Sequence, residues 1–225
     1  MRQTPLQAGW LRWAGLALLA ACTSTTESAA RSRKDASSRL PAIRNAALIS
    51  VDVKEYEVLP GGVIEFKEES DNVARKAIEE VLVAQFAERQ IVLRSVDPAP
   101  ETAEEIQDLR ALSEAINASM QFPKDGFDYT LGPVGDLVDL YGVDALVFVW
   151  ARGWLYKGGK KAISSLSGGN AVDGADIAIT LVDRSGDVLW YDRRGRRGDN
   201  TDLRSTTSLM ELARAIIGDL PPLKP

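Results

Sequence analysis

The stretch ADIAITLVDRSGDVLWYDRR, residues 175–194, decides the fold. Ile177, Ile179 and Leu181 alternate with smaller or polar residues, the period of a half-buried strand. Asp183-Arg184-Ser185-Gly186-Asp187 is built of turn formers, and Val188 to Tyr191 returns. The pattern predicts a β-hairpin. Upstream, VDALVFVWARGWLY (143–156) carries a continuous apolar run from Ala145 to Trp150, as expected of a central strand covered on both faces.

Reading outward from this pair, ALISVDVKEY (47–56) predicts a first strand, with Ile49, Val51 and Val53 on one face and Ser50, Asp52 and Lys54 on the other. A Pro60-Gly61-Gly62 turn leads to a short strand at Val63 to Phe66. A helix capped by Asp71 should follow, burying Val73, Ala77, Ile78, Val81, Leu82 and Phe86. IVLRSV (91–96) reads as a strand. Thr102 and Glu105 have capping-box spacing ahead of a helix that turns Ile106, Leu109, Leu112 and Ile116 inward. Val134, Leu137, Val138 and Tyr141 give a shorter helix after the loop at 120–133. Ser208 and Glu211 open a last one, buried through Met210, Ala213, Ile216, Ile217 and Leu220 and stopped by Pro221 and Pro222. The expectation is an α+β domain over residues 46–225: a mixed sheet, helices packed mainly on one face, a closing hairpin and a C-terminal helix.

The first 21 residues read differently. Arg2 and Arg12 precede an uncharged apolar run that ends Leu19-Ala20-Ala21-Cys22. The run is about half of the roughly 20 residues needed to cross a bilayer, so it reads as a secretory signal rather than an anchor helix. Its end resembles a bacterial lipobox, which implies cleavage before Cys22 and acylation of that cysteine; an ordinary signal peptide with a chance cysteine is the plainer alternative. Several acyl chains would anchor stably, since each buried methylene contributes about 0.8 kcal/mol. Thr23 rather than aspartate follows the cysteine, which points to the outer membrane and a periplasm-facing domain. Residues 22–45 then read as the lipidated cysteine and a flexible tether, rich in Ser, Thr, Ala and charge without an apolar period.

Composition narrows the chemistry. The chain of 225 residues holds 27 Lys and Arg against 32 Asp and Glu, and loss of residues 1–21 removes two arginines and no acid. An acidic domain is not built to bind nucleic acid. Histidine is absent and Cys22 is the only cysteine. Histidine-activated nucleophiles, histidine metal sites and internal disulfides are therefore excluded, and neither a metal nor another cofactor is expected.

Four candidate sites remain, each with a plain alternative. Arg193, Arg194, Arg196 and Arg197 in RRGRRGD form a linear cluster able to hold phosphate or carboxylate through paired N–H donors: lipopolysaccharide, peptidoglycan carboxylates or an acidic protein face. The alternative is a solvated strand end paired to Asp192, Asp199 and Asp202. Lys160 and Lys161 lie in GWLYKGGKKAISSLSGGN, a basic loop between strands that either contacts a partner or is merely solvated. Gly153 and Gly158 have phosphate-loop spacing, but Gly159 stands where the lysine belongs. Trp150, Trp154 and Trp190 could form an aromatic platform for a glycan or peptide, or could pack in the core. Asp183 and Asp187 are the nearest thing to a hydrolytic acid pair, although their place in a turn explains them locally.

The stretches AALISVDVKEYEV (46–58), DNVARKAIEEVLVAQFAERQIVLRS (71–95), YGVDALVFVWARGW (141–154) and the hairpin follow one another in an order that resembles a family of envelope lipoproteins related to CsgG, the amino-terminal domain of TolB, and LpoB. The resemblance implies a fold and an envelope habitat; it carries over no functional residue. It implies a non-catalytic interaction module with an envelope protein partner, serving envelope assembly or a secretion-type complex. An activator of a peptidoglycan synthase and a carboxylate-based hydrolase of cell-wall glycans are the alternatives.

Overall fold

A computed structural model describes residues 30–59, 62–120, 127–157, 173–198 and 201–222. Its centre is the sheet that the sequence predicts. β1 is Arg31–Ser32, β2 Asn45–Val58, β3 Ile64–Phe66, β4 Val92–Ser95, β5 Ala145–Tyr156, β6 Gly174–Asp183 and β7 Val188–Arg197. Their order across the open sheet is β1-β7-β6-β5-β2-β3, with β4 also paired to β2. β5 runs parallel to β2 and antiparallel to β6, so the sheet is mixed.

The helices are α1 (Ala36–Arg39), α2 (Glu68–Glu88), α3 (Ala103–Ser119), α4 (Gly135–Tyr141) and α5 (Thr206–Gly218). Among the described residues no helix is long and apolar enough to cross a membrane. α1, α2 and α5 bury one sheet face through Ala36, Ile78, Leu82, Phe86, Leu212 and Ile216, with Leu40 of the turn after α1, against Val51, Val149, Ile179 and Trp190. α3, α4 and the turn at 127–134 cover a smaller area of the other face, where Ile106, Ile116 and Leu137 meet Phe148, Val182 and Tyr191. The helices thus cover the α2–α5 face more completely, and β5 lies buried between both layers.

Several local expectations are corrected. Arg31–Ser32 form a strand inside the stretch expected to be a flexible tether. β1 pairs with Tyr191 and Trp190, and Leu40 is fully buried. The charged composition of this segment hid its role: Arg39 binds Asp183 and Asp187, and Arg33 binds Asp128 and Asp187, so its basic residues neutralise the acids of the hairpin turn. α2 starts three residues before Asp71, which lies inside the helix and takes the Glu55 N–H on its carboxylate at 2.7 Å. Val73 is exposed and Ala74 takes its place inward; Leu112 likewise points outward. The Thr102 hydroxyl donates to the Ala99 carbonyl rather than capping α3. Ser205, not Ser208, caps α5, accepting the Ser208 N–H. A bulge between Leu48 and Ser50 sends Ile49 to the α3–α4 face while Val51 and Val53 stay on the other.

Candidate functional site

Period two governs the arginine cluster. Arg193 to Arg197 continue β7, so their side chains alternate between the two faces. Register places Arg193 opposite Ala178 and Arg197 opposite Gly174, while Arg194 and Arg196 stand opposite Ile177 and Ala175 on the α5 side. There Arg194 binds Asp192 and Asp219, and Arg196 binds Glu211 of α5. The cluster in the sequence is therefore two pairs in space. Arg194 and Arg196 tie the last strand to the last helix.

The other pair meets the tryptophans. Trp150, Arg152 and Trp154 alternate along β5 onto the face that α3 partly covers, Trp150 packing against that layer. The guanidiniums of Arg152 and Arg193 lie over the Trp150 ring at 4.6 and 4.9 Å from its centroid, and that of Arg197 lies 5.1 Å from the Trp154 ring. Such cation–π contacts contribute about 0.5–2 kcal/mol each, more as water is excluded. Asp176 of β6, 6% exposed, takes Arg193 at 3.3 Å and Arg197 at 3.2 Å on its two oxygens. Gly195 is required beside it, because a Cβ there would stand 2.2 Å from the Asp176 Oδ1. Arg152 is fixed by Asp52 Oδ2 at 2.6 Å and approached by Glu114 of α3 at 3.6 Å. Trp154 stacks on Tyr56, which in turn touches Phe66. The result is a ladder, Trp150–Arg193–Asp176–Arg197–Trp154–Tyr56–Phe66, that passes from half-buried at Trp150 to open at Phe66. Trp190 takes no part; it is fully buried on the opposite face.

The sequence named Trp150, Trp154, Arg193 and Arg197 but not what assembles them. Asp176, Arg152 and Asp52 were missed, although Arg152 in the midst of an apolar strand was a visible sign. Lys160, Lys161 and Cys22 lie outside the described residues.

On the α2–α5 face, Glu55 is 2% exposed among Asp71, Leu203 and Arg204. Burial first, then the nearby Asp202 charge, pushes its carboxyl up to about 7. Oε1 accepts the Leu203 N–H at 3.2 Å. Oε2 accepts no hydrogen bond among the described residues, and Arg204 Nε approaches it at 3.5 Å. Gly153, read in the sequence as one glycine of a failed phosphate loop, sits inside β5 because a Cβ there would meet Glu55 Oε1 at 2.8 Å.

The turn acids have a structural use. Asp183 Oδ1 accepts the N–H groups of Ser185 and Asp187, and both acids are held by Arg39. Among the described residues no group of three or more acids could hold a metal ion.

No protein-family model matches this sequence, and no characterised protein sequence is significantly similar to it. Among solved structures, a dodecamer of PelC from Paraburkholderia phytofirmans is similar at 15% identity, over 88% of this chain and 97% of that one, with a TM-score of 0.43. A point variant of the same protein, also a dodecamer, is similar at 14% identity over 88% and 99% of the two chains, with a TM-score of 0.43.

Proposed function

We propose that this protein is a lipid-anchored, non-catalytic interaction module of a bacterial outer membrane, facing the periplasm and serving envelope assembly or a secretion-type complex. The observation that carries the reading is the ladder on the open sheet face. Tryptophan, tyrosine and arginine dominate binding hot spots because each presents a large, rigid surface with a polar edge. Here Asp176 and Asp52 hold the arginines in place, so little ordering entropy is left to lose on binding. The acids near this face, Asp52 and Glu114, are partners of Arg152 rather than an isolated acid pair in an apolar cleft, which supports binding over hydrolysis. Cys22 supplies the anchor.

Two experiments test this. Crosslinking in intact cells should capture an envelope protein, and capture should fail in Arg193→Gln/Arg197→Gln while persisting in Arg196→Gln, whose side chain lies on the other face. Equal capture by all three would remove the ladder from the reading. Metabolic labelling with a radioactive fatty acid should mark the wild type and not Cys22→Ser; label retained by the variant would remove the anchor.

A further inference from the structure

The edge of β2 has a gap. β4 pairs with Asn45 to Leu48 and stops at Ser95. β3 pairs only with Tyr56 to Val58. Between them the backbone direction can be read from its ends. The Leu48 carbonyl accepts from Val96 N, on the β4 side. The Glu55 N–H goes to Asp71, and its carbonyl accepts from Lys67 N, on the β3 side. Alternation, shifted once by the bulge at Ile49, then turns the N–H and C=O of Val51 and Val53 toward the same open side. No described strand, loop or side chain bonds to them. Buried backbone groups are paired in more than nine cases of ten, so two buried alternate residues with unspent edge groups call for an account.

The space beside this edge is a groove of about 500 Å³, lined on β2 by Leu48 to Asp52 and by Lys54. Arg75 and Glu79 of α2 form one wall, Arg110 and Glu114 of α3 the other, and Trp150 lies at the floor. We propose that this groove takes an extended peptide segment of a partner protein, added as a strand beside Val51 and Val53 between β4 and β3. Three observations choose this occupant. The groove continues the β4–β2 ladder, and an added strand lies about 4.8 Å from its neighbour, whereas a helix needs a lane of about 10 Å. The lining mixes both signs, Lys54, Arg75 and Arg110 against Asp52, Glu79, Asp97 and Glu114, which suits a main chain of no net charge better than a strongly acidic or basic ligand. Among the described residues no outer strand of a second copy has the length to fill this edge, since β1, β3 and β4 have only two, three and four residues. Main-chain hydrogen bonds would give the affinity and the side chains facing Trp150 the selectivity.

The test uses the full chain in detergent and a displayed library of short linear peptides as probe. In the free protein the Val51 and Val53 amides should exchange with solvent faster than those of Ala46 and Leu48; equally slow exchange overturns the proposal. Selected peptides should slow exchange at Val51 and Val53 and lose binding to Ala111→Trp, which fills the groove from an exposed helix position. N-methylation along the peptide should weaken binding about fivefold or more at alternate residues only, as loss of single main-chain hydrogen bonds requires. Peptides indifferent to Ala111→Trp, a flat N-methylation profile, or no selected peptide at all would each refute strand addition. The groove shares Trp150 with the ladder, but none of these readouts involves Cys22, Arg193 or Arg197, so failure here leaves the envelope reading standing, and the reverse holds too.

Discussion

Glu55→Gln should flatten the pH dependence of stability. The carboxyl is protonated in the fold but not in the unfolded chain between its ordinary value of 4.5 and about 7. At roughly 1.4 kcal/mol per pH unit, that window corresponds to about 3 kcal/mol. The sign follows from which state holds the proton. Burial makes the folded state the better proton binder, so the stabilisation is complete below about pH 4.5 and is lost as pH rises through about 7. The chain has no histidine to titrate within this window, and Asp192, whose carboxyl burial also raises, is common to wild type and variant. Glutamine keeps an oxygen for the Leu203 N–H, and Arg204 retains Asp202 at 2.6 Å. Urea unfolding at about pH 5 and about pH 8 reads the effect. The wild type should lose about 3 kcal/mol between the two, and the variant should lose far less, exceeding the wild type at the higher pH. A variant whose stability declines as steeply as the wild type's would refute the assignment of a buried proton to Glu55.

Three further substitutions probe the frame. Gly195→Ala brings a Cβ to 2.2 Å from Asp176 Oδ1, so urea unfolding should show a loss of about 1–3 kcal/mol, with a change in tryptophan fluorescence as Arg193 and Arg197 leave their rings. Gly186→Ala requires a side chain at φ +83° and places a Cβ 1.6 Å from the Gly132 carbonyl oxygen; thermal unfolding should show a loss of about 3 kcal/mol or a failure to fold. Ser205→Ala removes the α5 cap and should cost about 1 kcal/mol, read as a lowered Tm.

The hairpin, the central strand and the amphipathic faces of α2, α3 and α5 were legible because burial imposes a period that composition displays. The larger misreadings turn on contacts distant in sequence. Asp71 has the type of a cap, but Glu55 N–H, sixteen residues away, claims it. Arg33 and Arg39 look like tether charge until Asp183 and Asp187 are placed beside them. A bulge adds one residue to a strand and moves every residue before it to the other face, and nothing in ALISVDVKEY announces which residue is extra.

The arginines show how much a single further inference could have recovered. In the sequence RRGRRGD forms one cluster, because the apolar return of the hairpin stops at Tyr191. Had β7 been carried on to Arg197, period two alone would have divided Arg193 and Arg197 from Arg194 and Arg196. The first pair would then lie opposite β6 residues flanking Asp176, with Trp150 and Trp154 one strand further on. The two pairs also differ in what neutralises them. Arg194 and Arg196 are matched to acids on or just after α5, a fixed neighbour, so their charge is used within the fold. Arg193 and Arg197 share one carboxylate between two guanidiniums and lie against aromatic rings. Two cations on one anion leave donor capacity turned outward, and that unequal match, rather than the number of arginines, is why the binding reading belongs to this face.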